Sequence, residues 1–181
     1  VPAVYAERLR LAKNAGAAVM TLLERDIRPS AIITAQAVRN ALSVDMALGC
    51  STNSVLHLFA LAHELGLPVD LALVNQVSEQ TPNLCRLAPA GPHHMQDLYF
   101  AGGVYAVMHE LLNAGLLDGA ALTAAGVTLA QALSGHTVRD AAVIRPVSDP
   151  YALTGGLAAL FGNLAPRGAV VKRSAVRESM L

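Results

Sequence analysis

The sequence predicts a mainly α-helical chain that ends in a short β-rich tail. Apolar residues recur at spacings of three and four through most of the first 140 residues, which is the period of an amphipathic helix. Capping residues and glycines stand at the ends of these periodic stretches. From Ala141 the pattern changes to short apolar runs between Pro, Gly and Asp, which favours strands. We therefore expect a helical part, residues 1–140, followed by a linker and a β-hairpin, residues 141–181.

Two long helices are predicted before the middle of the chain. The first covers residues 1–26, where Tyr5, Leu9, Ala12, Gly16, Val19 and Leu23 form an apolar stripe. Pro29 ends this stretch, because proline disfavours a helical residue before it. Thr34 is a suitable N-cap for the second helix, whose apolar side consists of Val38, Ala41, Leu42 and Met46.

Four further helical segments are predicted. One covers residues 51–65, with Val55, Leu58, Phe59 and Ala62 as its stripe, and Gly66 closes it. A short helix starts at Asp70, and the Pro/Gly-rich residues 78–92 form a loop. Another helix follows Gly102-Gly103 and stops at Gly115. Thr128 and Gln131 have capping-box spacing for a last short helix.

The tail predicts strands at Val143-Ile144 and at residues 157–161. Residues 165–168 have the composition of a type I turn, and residues 169–171 return as a strand, so residues 157–171 form a hairpin. A lone hairpin is marginal in water. We expect it to dock on the helices, to pair with another copy of the chain, or to be mobile.

The chain is organised around the turn between the second and third helices. Gly49 suits the left-handed position that closes a helix, and Ser51, Thr52 and Asn53 suit the cap that opens the next one. Free backbone N–H groups and short polar side chains would then point to one place, which can hold a carboxylate or a phosphate. An ordinary pair of helix caps explains the same residues.

Composition excludes several classes of function. Hydrophobic residues make up 54% of the 181 residues and charged residues 14%, which excludes disorder and suggests a homo-oligomer or a piece of a larger protein. Lys plus Arg equals Asp plus Glu, 13 each, so no nucleic-acid partner is expected. The basic residues near the end, Arg167, Lys172, Arg173 and Arg177, are too dispersed to change this. No uncharged stretch is apolar enough to predict a membrane span.

The ends and the cysteines suggest the compartment. The chain begins with Val rather than Met, which suggests processing or excision, and it lacks a signal-peptide layout. Cys50 and Cys85 are far apart and form no CxxC motif, which favours a reducing, cytoplasmic setting.

The sequence contains no complete catalytic or metal-binding set. His57 and His63 are six residues apart and fall on different helix faces, and His93-His94 lies in a Pro/Gly loop, so no metal site is predicted. A nucleophilic pair of Cys50 and His57 is conceivable, because a helix N-terminus lowers a thiol pKa. The favoured interpretation is that Cys50 is a small turn residue and Cys85 a small buried one.

A set of motifs resembles the dihydroxy-acid dehydratase family, which also contains phosphogluconate and sugar-acid dehydratases. In order and spacing, the matching segments are residues 49–53 with 55–58, 81–85, 95–98, 101–104, 143–146, 154–157, 162–166 and 170–172. They span essentially the whole chain, and His57-Leu58 with residues 95–98 is closer to the dihydroxy-acid branch. One departure is Cys50, where the family commonly has a second glycine.

The resemblance implies a hydro-lyase that converts a small-molecule 2,3-dihydroxy acid to a 2-keto acid in valine, isoleucine and leucine biosynthesis. In the family an iron–sulfur cluster acts on the departing C3 hydroxyl, a base takes the C2 proton, and Mg²⁺ holds the carboxylate. The family's cluster-cysteine motifs and its serine base are absent from this sequence. No catalytic, cofactor-binding or metal residue is therefore assigned, and the segment alone is expected to bind neither group and to be inactive.

The resemblance also implies a place within a longer enzyme. Residues 1–140 would be the helical C-terminal part of the N-terminal domain, within a larger α/β domain, and residues 141–181 would begin a second, β-barrel-like domain. Ser51, Thr52 and Asn53 match the family's turn and are candidate substrate-binding residues. The alternatives are a sugar-acid or phosphogluconate dehydratase segment, or a non-enzymatic helical interaction module derived from that fold.

Overall fold

A computed structural model describes residues 1–176 and 180, and Arg177 of the basic C-terminal group lies outside the described residues. The described part is mainly helical with one short antiparallel hairpin, which confirms the predicted fold class. The helices are α1 (Glu7–Glu24), α2 (Pro29–Ile32), α3 (Ala35–Leu48), α4 (Thr52–Glu64), α5 (Leu71–Gln80), α6 (Met95–Phe100), α7 (Gly103–Asn113) and α8 (Leu129–Leu133). The strands are β1 (Ala158–Gly162) and β2 (Ala165–Val171), and a 3₁₀ turn follows at Arg173–Ala175.

Helix α3 is the central element of the core. It begins at the N-cap Thr34, whose hydroxyl accepts a hydrogen bond from the Ala37 N–H at 3.1 Å, and it ends at Gly49. One side of α3 packs on α4, α5 and β1, and its buried residues there are Val38, Leu42 and Met46. The opposite side contributes Ala47 and Leu48 to a second cluster with α7, α8 and the segment after α8. The two clusters therefore share one wall, which is α3.

Helix α1 has the predicted apolar stripe but does not bury it. No residue of α1 is buried, and Leu9 and Leu23 are 76% and 71% exposed. Its contacts are made at the two ends. The Tyr99 hydroxyl donates to Glu7 at 2.6 Å, and Arg25 lies against Gly126.

Two short helices were not predicted. Pro29 is the first residue of α2 rather than only a break, because the missing N–H of proline costs nothing at a helix start. Helix α6 begins after His94, whose backbone N–H donates to the Asp97 carboxylate at 2.7 Å. Helix α5 also continues to Gln80, inside the segment that was predicted to be a loop from residue 78.

Two predictions about the tail were wrong. Val143-Ile144 is not a strand: both residues are buried in a turn, and their N–H groups donate to the Asp140 carbonyl. Residues 165–168 are not the hairpin turn but part of β2, because Gly162 pairs with Ala165 across a two-residue turn. Residues 166–168 form an irregularity between the Gly162–Ala165 pair and the Leu160–Ala169 pair. Pro166 has no N–H to donate to the partner strand, and Gly168 has φ of +92°.

The hairpin docks on the helices, which was one of the three alternatives. The Asn75 side chain of α5 makes two hydrogen bonds of 2.8 Å with the backbone of Ala159. The Ser78 hydroxyl donates to the Leu157 carbonyl at 2.7 Å, and Leu157 is fully buried. Strand β1 is thus fixed to α5 through both polar and apolar contacts.

Within the described residues, we find no helix with the length and apolar character that crossing a membrane requires.

Candidate functional site

The turn between α3 and α4 has the predicted pair of caps. Gly49 takes the left-handed conformation, with φ of +60° and ψ of +55°, and the Cys50 N–H donates to the Asp45 carbonyl at 3.2 Å. Ser51 is the N-cap of α4, because its hydroxyl accepts from the Asn53 N–H at 3.2 Å. The Ser51 side chain is thus already engaged in capping.

Thr52 and Asn53 are the other two residues predicted at this site. Both lie in the first turn of α4, Thr52 half-buried and Asn53 exposed. Their side chains make no hydrogen bond to the part of the chain that the structure describes. An amide and a hydroxyl are therefore available beside the N-terminus of a 13-residue helix, where an anion is favoured.

A buried carboxylate lies under this turn, and sequence reasoning did not single it out. Asp45 is 5% exposed and accepts a hydrogen bond of 2.6 Å from the Ser54 hydroxyl. Burial raises the pKa of Asp45, while hydrogen bonds from Ser54 and Cys50 and the charge of Lys172 oppose that rise. Asp45 thereby ties the last turn of α3 to the first turn of α4.

The two cysteines are not nucleophiles in this arrangement. Burial, and then the neighbouring Asp45, raises the pKa of the Cys50 thiol to about 12. Burial alone raises that of Cys85 to about 12. Because the thiolate is the reactive form, both thiols are protonated and inert at neutral pH. The helix N-terminus does not lower the Cys50 pKa as a Cys50–His57 pair would require.

An open groove of about 330 Å³ runs beside the turn. Its polar lining is Asp45, Cys50, Ser54 and His57, and its apolar lining is Ala41, Val44, Leu58 and Leu61. The predicted residues Ser51, Thr52 and Asn53 are not among the groove residues, although Cys50 and Ser54 flank them in sequence. The groove and the exposed polar side chains are therefore adjacent features rather than one pocket.

Asn83 closes the C-terminal end of α3, and sequence reasoning missed it. The last carbonyls of a helix have no partner within that helix. The Asn83 side-chain amide donates to the carbonyls of Met46 and Ala47 at 3.2 and 3.1 Å, and the Leu84 N–H also donates to Ala47 at 2.8 Å. Asn83 is 2% exposed, so these bonds are shielded from water. The sequence signal that could have singled out Asn83 is its position in the 81–85 motif.

Gly155 and Gly156 pack against the same helix end. The Gly156 N–H donates to the Met46 carbonyl at 3.0 Å. A Cβ added to Gly156 would lie 2.5 Å from the Gly49 Cα, and one added to Gly155 would lie 2.6 Å from the Met46 Cβ. Only glycine allows such an approach of two backbones. The motif segments 49–53, 81–85 and 154–157 are therefore brought together in space.

Comparison with known proteins gives the same family for both parts of the chain. The family description "Dihydroxy-acid/6-phosphogluconate dehydratase N-terminal" matches residues 1–132, and the corresponding C-terminal description matches residues 142–181.

Three similar proteins are all named dihydroxy-acid dehydratase. A dihydroxy-acid dehydratase of Carboxydothermus hydrogenoformans is 61% identical over all 181 residues. Those of Acetivibrio thermocellus and Ruminiclostridium cellulolyticum are 58% and 57% identical over the same length. The chain covers 33% of each of these relatives, so it spans about a third of their length. The chain belongs to the dihydroxy-acid/6-phosphogluconate dehydratase family.

Proposed function

We propose that this chain is a segment of a dihydroxy-acid dehydratase. The intact enzyme would be a hydro-lyase that removes water from a 2,3-dihydroxy acid and forms a 2-keto acid in branched-chain amino-acid biosynthesis. The observation that carries the proposal is the similarity to dihydroxy-acid dehydratases at 57–61% identity over the whole chain. The packing of three motif segments around the end of α3 supports it, because those segments are the ones on which the family resemblance depends.

We propose Ser51, Thr52 and Asn53 as substrate-binding residues of the intact enzyme. The support is local: the N-terminus of α4 presents backbone N–H groups, and the Thr52 and Asn53 side chains are not used within the described residues. A carboxylate or a hydroxyl of the substrate can accept from these groups. Ser51 would act through the cap that it makes, and Asn53 would contact the substrate.

The iron–sulfur cluster and the Mg²⁺ ion proposed for the intact enzyme do not fit the residues of this chain. Clusters are held by several cysteine thiolates, whereas this sequence contains two cysteines, Cys50 and Cys85. Among residues 1–176 and 180, no group of three or more His, Cys, Asp or Glu side chains could hold a metal ion. The ligands would come from other parts of the enzyme, and this chain alone is expected to be inactive.

We further propose the domain positions and the assembly. Residues 1–140 would end the N-terminal domain, and residues 141–181 would be the linker and first hairpin of a β-barrel-like C-terminal domain. The two family matches support this boundary, because one ends at residue 132 and the other begins at residue 142.

Exposed apolar side chains, such as Leu9 at 76% and Leu164 at 95%, support a homo-oligomer. The free cysteines support a cytoplasmic setting.

The function is tested with the full-length enzyme that contains this segment, purified with its cofactors. We expect it to form a keto acid from 2,3-dihydroxyisovalerate, and to act much less well on 6-phosphogluconate or on a sugar acid. The 181-residue chain should give no product. Efficient turnover of 6-phosphogluconate or a sugar acid alone, or no hydro-lyase activity in the loaded enzyme, would reject the proposal.

The role of Asn53 is tested in the same enzyme with Asn53→Ala. We expect a loss of kcat/KM of at least about tenfold, because a hydrogen bond to a charged group contributes about 1.5–3 kcal/mol. The melting temperature should not change, since Asn53 is exposed and its side chain is not the cap. Asn14→Ala on α1, another exposed asparagine, is the matched control and should leave both quantities unchanged. An activity loss no larger than the loss of folded protein would reduce Asn53 to a structural role.

A further inference from the structure

A polar pocket of about 270 Å³ lies between α3, the end of α5 and the loop that follows α7. The polar side chains in its lining that the argument uses are Arg39, Ser43, Thr81 and Asp118. None of the proposed substrate residues, Ser51 to Asn53, lines it. The pocket is therefore separate from the α3–α4 turn.

Side-chain hydrogen bonds fix the walls of this pocket to one another. Arg39 donates from two guanidinium nitrogens to Oε1 of Gln76 at 3.2 Å and to Oε1 of Gln80 at 3.1 Å, which joins α3 to α5. The Asn40 side chain accepts from the Asp118 N–H and donates to the Asp118 carbonyl, both at 2.9 Å, which joins α3 to the loop. The pocket is thus preorganised, with the Arg39 guanidinium and the Asp118 backbone held in place.

Two opposite charges line this pocket, and neither belongs to an ion pair among the described residues. The partners of the Arg39 guanidinium are neutral amide oxygens, and they leave some of its N–H donors free. Oδ1 of Asp118 accepts from the Ala120 N–H at 2.8 Å, and Oδ2 has no such bond. A simple anion would be repelled by Asp118 and a simple cation by Arg39, whereas a zwitterion can pair with both.

Two buried hydroxyl groups of the lining also lack a hydrogen-bond partner among residues 1–176 and 180. Ser43 is 4% exposed and Thr81 is 1% exposed. Neither hydroxyl oxygen is sealed in the core, so each has its surface in the pocket that its residue lines. A buried polar group without a protein partner calls for a ligand or a bound water. A hydroxyl can donate to the same carboxylate that pairs with an arginine.

We propose that this pocket binds a free α-amino acid. Arg39 and the two buried hydroxyls bind the α-carboxylate, and Asp118 accepts from the α-ammonium group. The amides of Gln36 and Gln80 also line the pocket, so a polar side chain on the ligand finds hydrogen-bond partners there.

The volume of the pocket sets the size of the amino acid. At about 30 Å³ for each water-sized group, the pocket has room for about nine such groups, which is close to the size of asparagine. This proposal does not depend on the proposed function, because neither the pocket nor its ligand involves the substrate residues.

The test is a titration of the 181-residue chain with L-asparagine at neutral pH and constant ionic strength, followed by amide NMR shifts. We expect saturable shifts at Ser43, Thr81 and Leu117, which line the pocket. L-Asparaginamide lacks the carboxylate, and N-acetyl-L-asparagine lacks the ammonium charge. Each analogue should bind at least about tenfold more weakly than L-asparagine, as expected for the loss of a charge-assisted hydrogen bond.

Two substitutions assign each charge of the ligand to its residue. Arg39→Gln should remove the preference for L-asparagine over L-asparaginamide, and Asp118→Asn should remove the preference over N-acetyl-L-asparagine. Partial unfolding cannot produce this pattern, because it would weaken the binding of all three ligands alike. Ser43→Ala should weaken the binding of L-asparagine about threefold or more without lowering the melting temperature, because it removes a hydroxyl that lacks a protein partner.

Arg8→Gln is the matched control, because it makes the same charge change on exposed α1 and should leave all affinities unchanged. Any one of four results overturns the proposal. These are the absence of saturable shifts at the pocket residues, equal binding of L-asparagine and either analogue, a preference for L-asparagine over L-asparaginamide that survives Arg39→Gln as it does Arg8→Gln, and a preference over N-acetyl-L-asparagine that survives Asp118→Asn. A Ser43→Ala affinity equal to that of Arg8→Gln would likewise overturn the assignment of the buried hydroxyl to the ligand.

Discussion

The contact between Gly156 and Gly49 makes a sharp prediction about the substitution Gly156→Ala. The added methyl would lie 2.5 Å from the Gly49 Cα and 3.3 Å from both the Gly49 nitrogen and the Asn83 amide nitrogen. The nearest atom belongs to the backbone and cannot turn aside as a flexible side chain can. The two segments must therefore separate. Gly156 does not have a positive φ, so the substitution adds no left-handed backbone strain, and its cost begins with the steric contact.

The expected cost follows from two contributions. Overpacking a tight contact destabilises a protein by about 1–3 kcal/mol. Separation would also weaken the 3.0 Å hydrogen bond from the Gly156 N–H to the Met46 carbonyl, a bond of the kind that contributes about 0.5–1.5 kcal/mol. We therefore expect Gly156→Ala to lower the free energy of unfolding by about 2–4 kcal/mol. That is a large fraction of the stability of an ordinary domain.

The assay is urea unfolding of the 181-residue chain, followed by circular dichroism. Gly16→Ala is the matched control, because Gly16 is exposed in the middle of α1 and a methyl there would meet no atom within 4 Å. The control should leave the free energy of unfolding unchanged or raise it by up to about 1 kcal/mol. If Gly156→Ala stays within about 0.5 kcal/mol of the unsubstituted chain, the packing of the two motif segments described above is incorrect.

Three further predictions concern the turn and the two cysteines. Burial raises the pKa of Asp45 above 3.8, so the folded chain binds this proton more tightly than the unfolded chain and loses stability as Asp45 ionises. Asp45→Asn lacks this ionisation, so its free energy of unfolding should rise relative to that of the unsubstituted chain as the pH increases from below 3.8 to neutral. A difference that stays constant with pH in urea melts would contradict the burial argument. Ser51→Ala should lower the free energy of unfolding by about 1 kcal/mol in the same melts, and no loss would show that its cap is not formed. Iodoacetamide should modify Cys50 and Cys85 slowly at mildly alkaline pH and rapidly in urea; fast modification of the native chain would contradict pKa values of about 12.

Sequence predicted the helices well where their signals are local. Thr34, Ser51 and Thr128 were predicted as caps and Asp70 as the start of a helix. The side chain of each accepts a hydrogen bond from an N–H two or three residues later. Such a contact needs no other part of the chain, so the residue type and its spacing suffice.

Prediction from sequence failed where the same residue pattern is compatible with two different local structures. Val143-Ile144 is apolar because it is buried under α7 and α8, and a short buried run without periodicity does not distinguish a strand from a turn. The Pro and Gly of residues 165–168 fit a turn and a strand irregularity equally well. Pairing with β1 decides between them, and that pairing is a property of the assembled hairpin.

The sequence alone determined the fold class, the helix caps and the motifs that resemble the dehydratase family, because all three depend on residue type and local spacing. Only the tertiary structure decided that Asn83 caps α3, that Gly156 rests on Gly49, and that Asp45 lies under the α3–α4 turn with a raised pKa. Asn83 and Gly156 reach α3 from distant parts of the chain, and how deeply Asp45 is buried depends on everything packed around it. A chain can satisfy the last carbonyls of a helix from many positions, and which side chain does so is set by how the whole core packs.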